Sequence, residues 1–153
     1  MTLTFITGGS RGLGLATAKA LKESGHQLVL FAKNRELLQE VSQGLDGRII
    51  IYSACLGRMS GPGNAGGLAP YRISKAGVNA LVRNLAHETG HGSRGLWVDA
   101  ICPNHSRTDM GGPDAPRSAE EGAATAVWLA NRELIPGTTQ TGLLWEDNEV
   151  IPW

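Results

Sequence analysis

A glycine-rich turn, Thr7-Gly8-Gly9-Ser10-Arg11-Gly12-Leu13-Gly14, does most to restrict how this chain can fold. Upstream, Leu3-Thr4-Phe5-Ile6-Thr7 reads as a short apolar strand. Downstream, Leu13 to Ser24 repeats apolar residues at helical spacing until Gly25 ends the pattern. A chain that reverses from a buried strand into a helix through such a turn is committed to a βα unit. The helix N-terminus collects unpaired amides and positive potential, which suits a pyrophosphate. Glycines at 8, 12 and 14 permit the tight turn and a close backbone approach. Gly8, Ser10, Arg11, Gly12, Leu13 and Gly14 are therefore dinucleotide-binding candidates, because the strand-turn-helix context accompanies the motif.

The rest of the chain repeats the strand-helix alternation. Gln27 to Ala32 reads as a second strand, Arg35 to Gln43 as a short helix and Arg48-Ile49-Ile50-Ile51-Tyr52-Ser53 as a third strand. That β-branched run is the pattern of a strand buried on both faces, as in a parallel sheet. Residues 56–70 are rich in glycine and proline and predict a loop. Tyr71 to His87 predicts the longest helix, with Ile73, Gly77, Ala80, Leu81 and Leu85 on one stripe. Leu96 to Cys102 predicts a fourth strand stopped by Pro103. Ser118 and Glu121 form a capping box for a helix through Ala130. Thr141 to Trp145 predicts a final strand, followed by the tail Ile151-Pro152-Trp153. The fold expected is α/β, with a mostly parallel sheet between helices.

Composition limits the remaining options. The 153 residues suit one domain spanning 1–153, and 41% apolar residues supply one core. Lys plus Arg and Asp plus Glu each number 14, so no long-range attraction to nucleic acid or to an anionic membrane is expected. No apolar run approaches the ~20 residues of a membrane span, and no secretory leader pattern is evident. Cys55 and Cys102 lack a C-x-x-C spacing and read as reduced thiols, which points to the cytoplasm.

Tyr71 and Lys75, in Tyr-Arg-Ile-Ser-Lys, stand one helical turn apart and share a face. A nearby ammonium favours the phenolate, so this pair suits proton donation to a carbonyl oxygen near neutrality. No acidic residue ends the second strand, where one would accept ribose hydroxyls of NAD. Lys33 and Arg35 stand there instead, with Ser10 and Arg11 in the turn, a donor set suited to a 2′-phosphate. NADP(H) is the expected cofactor. His87-Glu88-Thr89-Gly90-His91 fits the H-E-x-x-H pattern of zinc hydrolases. Gly90 and Gly92 should end the helix there, and His105 is the only obvious third ligand, so no metal is expected. Trp97, Trp128 and Trp145 read as packing residues, and Trp153 as packing or as a cap on a substrate pocket.

These segments together resemble the short-chain dehydrogenase/reductase family, in its carbonyl-reductase-like group. The resemblance runs through Thr7–Gly14, the second and third strands, Tyr71–Ala86, Val98–Pro103, Thr108–Gly112 and the Ile-Pro-Trp tail. It implies NADPH-dependent reduction of an aldehyde, ketone or quinone to an alcohol. It also implies Tyr71 as catalytic acid, Lys75 on the nicotinamide ribose lowering the tyrosine pKa, and Pro103 and Thr108 at the cofactor.

The chain departs from the family pattern in two ways. Roughly 60–90 residues, two strand-helix units, have no counterpart, the gap falling near Gly44-Leu45-Asp46-Gly47. The right-handed crossover rule then makes the sheet a shortened Rossmann-like one of about five strands, ordered 2-1-3-4-5. The helix at 35–43 would cover the face opposite the first helix, or the sheet would complete itself by homo-oligomerising. Gly63-Asn64-Ala65-Gly66 resembles a missing family tetrapeptide but precedes Tyr71. Second, the serine that polarises the substrate carbonyl aligns with Ala54. Ser53 is the candidate replacement, although strand alternation points it to the other face, and Ser60 is a further one. A catalytically impaired dinucleotide-binding remnant is thus the rival to an active reductase.

Overall fold

The computed structural model describes residues 3–7, 12–25, 27–31 and 47–153. Strands β1 (Leu3–Thr7), β2 (Gln27–Phe31), β3 (Gly47–Tyr52), β4 (Leu96–Ile101), β5 (Leu144–Glu146) and β6 (Glu149–Ile151) form one sheet. The helices are α1 (Gly12–Glu23), α2 (Ala69–Glu88) and α3 (Ala119–Asn131). The sheet order is β2-β1-β3-β4-β5-β6, the first five strands parallel and β6 antiparallel to β5. The Arg48 strand therefore lies beside β1, as the shortened crossover requires. The helix expected at 35–43 lies outside the described residues.

Strict alternation along β3 and β4 divides the core into two layers. Ile50 and Ile101 pack with Ala18 and Leu21 of α1, Ala126 and Leu129 of α3, and Trp145. Ile49, Ile51, Val98 and Ala100 face the other way, onto Val82 and Ala86 of α2. Each fully buried Leu, Ile or Val contributes roughly 1.5–3 kcal/mol, so the two layers together carry the fold. The stripe expected on α2 is only partly its core face, with Leu85 packed against the buried cluster. Asn79, Val82 and Ala86 are its buried residues, whereas Ile73 is 73% exposed and Gly77 and Ala80 are exposed. Asn79 sits on the core face because a buried serine needs it, as described below.

A buried charge pair, Arg48 with Asp99, bridges β3 and β4 on the α3 side. Their closest atoms, Arg48 Nε and Asp99 Oδ2, are 3.8 Å apart, with the residues 3% and 0% exposed. Arg48 Nη1 donates to the Leu129 carbonyl at the end of α3, and the Leu143 amide donates to Asp99 Oδ1 at 3.1 Å. Burial pushes the guanidinium down to about 10 and pushes the Asp99 carboxyl up.

The capping box at α3 is complete, with Glu121 N donating to Ser118 Oγ (3.1 Å) and Ser118 N to Glu121 Oε2 (2.6 Å). β6 is a sixth strand beyond the five that the sequence predicts. Its signal is the Asp147-Asn148 pair, both at positive φ (51° and 67°), which closes a two-residue hairpin between Leu144-Trp145-Glu146 and Glu149-Val150-Ile151. Trp153 packs against the α2-side core, with the Arg83 guanidinium 6.0 Å from its ring centroid, and does not line the cavity described below. Trp128 and Trp145 meet edge to face at 5.3 Å. No helix among the described residues is long and apolar enough to cross a membrane.

Candidate active site

A cavity of about 610 Å³ opens at the carboxyl ends of β3 and β4. Its wall includes Leu13 at the start of α1, Ala54 and Cys55 after β3, Tyr71 in α2, and Cys102, Pro103 and Thr108 after β4. Residues drawn from four separate stretches of sequence thus converge on one space. Leu13, Pro103, Thr108 and Tyr71, each singled out from the sequence, are brought together there.

Gly12 explains how the turn and the distal loop meet. Its φ is +54°, and a Cβ there would lie 3.4 Å from Thr108 Cγ2, so the loop packs directly on the backbone of the turn. Thr108 is itself fixed, its Oγ1 accepting from the Gly111 amide at 3.2 Å. Asn104 takes φ 58°, a left-handed backbone that asparagine tolerates, at the corner after Pro103. Gly14 is buried within α1. Gly8, Ser10, Arg11 and Lys33 lie outside the described residues.

Tyr71 sits in the first turn of α2, held against the sheet end by a second close approach. A Cβ on Gly57 would come within 2.5 Å of the Lys75 carbonyl carbon, so this glycine lets the loop after β3 lie flat on α2. Arg72 secures the loop on the other side, donating to the carbonyls of Pro62 (2.6 Å), Gly63 (3.1 Å) and Gly67 (2.8 Å). Gly63-Asn64-Ala65-Gly66 lies in this connection, mostly exposed and ahead of α2.

Lys75 extends to the end of β3, where Nζ donates to the Tyr52 carbonyl at 3.0 Å and lies 5.7 Å from the Tyr71 ring centroid. The lowering of the tyrosine pKa that the family resemblance implies is not seen in this arrangement. Burial, with Cys102 and Cys55 adding, pushes the Tyr71 phenol up, and burial pushes the Lys75 ammonium down. The ammonium donates to the Tyr52 carbonyl and lies over the Tyr71 ring.

Ser53 does not reach the cavity. Its residue is 2% exposed, and its Oγ donates to Asn79 Oδ1 on α2, with the Lys75 carbonyl at 3.4 Å. The reason is the period of the strand: Ser53 shares the α2 face with Ile49 and Ile51. Tyr52 points the other way, its hydroxyl against Thr17 and 3.4 Å from the Leu13 carbonyl. Ala54 takes the cavity position. Ser60 accepts from Arg58 Nη2 at 3.3 Å and is not part of the wall.

The two cysteines expected as reduced thiols, Cys55 and Cys102, are wall residues. The Cys55 amide donates to Cys102 Sγ at 3.0 Å, and both thiols are free. Burial pushes the Cys102 thiol up to about 12. The H-E-x-x-H segment is elsewhere. α2 ends at Glu88, Gly90 and His91 adopt positive φ, and the His87 and His91 rings meet edge to face at 5.8 Å. His105 is turned to the Gly111 carbonyl at 2.7 Å.

A family model described as enoyl-(acyl carrier protein) reductase matches residues 42–135, and one described as short chain dehydrogenase matches residues 2–46. The chain belongs to the short-chain dehydrogenase/reductase family. The two matches meet at 42–46, where the family's missing units were placed. Among short-chain dehydrogenase/reductase relatives, carbonyl reductase [NADPH] 1 of Mus musculus is 41% identical over 87 residues, 54% of this chain and 30% of that protein. Carbonyl reductase [NADPH] 3 of Homo sapiens is 40% identical over 89 residues, 56% of this chain and 31% of that protein. The matched segment thus spans under a third of these relatives. In fold, the chain resembles the carbonyl reductase Sniffer of D. melanogaster at a TM-score of 0.71 and 19% identity, over 99% of both chains. A blue fluorescent protein from a metagenomic library, solved with NADPH, gives 0.67 at 17% identity over 95% of this chain and 96% of that one.

Proposed function

We propose that residues 1–153 act as one NADP(H)-binding unit that reduces a small carbonyl compound to an alcohol, with Tyr71 as the proton donor. The observation that carries this reading is the convergence of Tyr71, Leu13 and Thr108 on one cavity, with Gly12 packed against Thr108. The glycine-rich start of α1 has the backbone freedom a pyrophosphate needs, and relatives named carbonyl reductase [NADPH] support the cofactor class. Gly12, Leu13, Gly14, Pro103 and Thr108 would hold the dinucleotide, together with Gly8, Ser10, Arg11 and Lys33. When bound, the reduced nicotinamide would supply a hydride to the carbonyl carbon.

The chain's own part is to orient the carbonyl and deliver the proton. The Tyr71 hydroxyl, half-buried at the cavity wall, donates its proton to the carbonyl oxygen as that oxygen gains charge. A phenol pushed up by burial holds its proton firmly at neutral pH. Turnover therefore depends on Lys75 leaving the Tyr52 carbonyl to stand nearer the phenol once the cofactor is in place. The decisive experiment is NADPH oxidation with a panel of small aldehydes and quinones, compared with NADH and with Tyr71→Phe. Activity with NADPH that Tyr71→Phe abolishes supports the reading. Equal activity of the variant sinks it.

One observation favours a second reading. The carbonyl-polarising position is Ala54, and Ser53 is turned to Asn79, so the described wall has no serine at that place. A chain that binds NADPH, shown by a raised melting temperature, but oxidises none of it would be a dinucleotide-binding remnant.

A further inference from the structure

We propose that Cys55, Cys102 and Glu146 form a binding site for a thiophilic divalent cation, best represented by Zn²⁺. The three residues are far apart in sequence, but the sheet aligns them. Cys55 follows β3, Cys102 follows β4 and Glu146 ends β5, three neighbouring strands whose carboxyl ends lie side by side. Their sulfur and carboxylate ligand atoms all lie within 4.8 Å of one another. Two thiolates and a carboxylate are a ligand set that zinc accepts, and sulfur ligands select zinc over magnesium or calcium.

The surroundings favour a cation here. A carboxylate and two thiols that lose their protons on binding lie close together, and a divalent ion balances most of their charge. The Cys55 amide, 3.0 Å from Cys102 Sγ, supplies the outer hydrogen bond that orients a ligating sulfur. The nearby cation that would compete for Glu146 is Arg117, and its guanidinium is held by Asp147 through two bonds of 2.5 and 2.7 Å. Cys102 is buried while Cys55 and Glu146 are half-buried, so an ion can enter without unfolding the site. Cys55 and Cys102 also line the cavity. With three protein ligands, the fourth tetrahedral position is left to water or to a molecule in the cavity. Binding releases one proton from each thiol to solvent.

This site stands independently of the reductase reading, because its test needs no turnover. The full chain, fully reduced and freed of metal, is titrated with Co²⁺ as a spectroscopic stand-in and then with Zn²⁺. The expected result is saturation at one equivalent, a sulfur-to-cobalt charge-transfer band, and displacement of cobalt by zinc. Both thiols should become protected from alkylation when zinc is bound. Cys55→Ser and Glu146→Gln, each checked for fold by circular dichroism, should weaken binding at least about tenfold. His87→Ala should change nothing. The proposal is overturned if the reduced, folded protein binds no equivalent of metal, or if binding survives Cys55→Ser but is lost in His87→Ala. It is equally overturned if the two thiols merely pair as a disulfide in air and the reduced protein ignores zinc.

Discussion

Ser53 Oγ donates to Asn79 Oδ1, holding the serine that follows β3 on the α2 face that strand alternation gives it, away from the cavity. Ala54 is left as the wall residue, 7% exposed, where a hydroxyl would face a bound carbonyl. Ala54→Ser should therefore raise turnover of a small aldehyde by at least about tenfold, since one such donor is worth ~10²–10³. Steady-state kcat of the two proteins checks this. Ser53→Ala should leave kcat unchanged and cost stability instead, because it strands Asn79.

Tyr71→Phe removes the proton donor while keeping the ring beside Lys75. Turnover should fall by about 10²–10⁴-fold, the usual contribution of a general acid. The thermal shift produced by NADPH should persist, which separates loss of chemistry from loss of binding.

Gly12→Ala places a methyl group in a left-handed backbone and against Thr108. The strain should cost about 1–2 kcal/mol. Calorimetry should show a melting temperature a few degrees lower, and NADPH should bind more weakly because the loop carrying Thr108 is pushed off the turn.

Arg48 and Asp99 should show strong coupling in a double-mutant cycle. Asp99→Ala leaves a buried guanidinium without its partner and should cost about 3–5 kcal/mol in urea unfolding. Adding Arg48→Met should recover much of that loss, because the pair's desolvation disappears with it.

Alkaline pH should destabilise the fold through Tyr52 and Cys102. Burial raises both, each to about 12, from 10.0 for the phenol and 9.0 for the thiol. A raised folded value means the native state keeps a proton that the unfolded chain has lost. The stability is thus full below about 9 and is lost as pH climbs from there towards about 12. Unfolding free energy measured from pH 8 upward should slope down. Tyr52→Phe should flatten the part of the slope above pH 10.

Much of this was legible where one residue type leaves few choices. The isoleucine run of β3, Pro103 ending β4 and the Ser118–Glu121 capping box each carry a local signal, and the sheet order followed from handedness once the gap was recognised. What escaped depended on which face a side chain takes after tertiary packing. The α2 stripe coincides with the core face only in part, at Leu85, because Asn79, polar by composition, is buried against Ser53. The Arg48–Asp99 pair was hidden because charged residues in strands usually signal exposure. Cys55, Cys102 and Glu146 have no shared spacing at all. The hairpin at Asp147-Asn148 does carry a local cue, two adjacent residues of the kind that tolerate positive φ.

The pairing of β1 directly with β3 has one more effect. The strand feeding the glycine turn and the strand feeding Ala54 share a single ladder of amides, with no intervening strand to insulate them. Solvent exchange at Ile6 and at Ile50 should then proceed through the same opening event, so damage to either half dismantles the other.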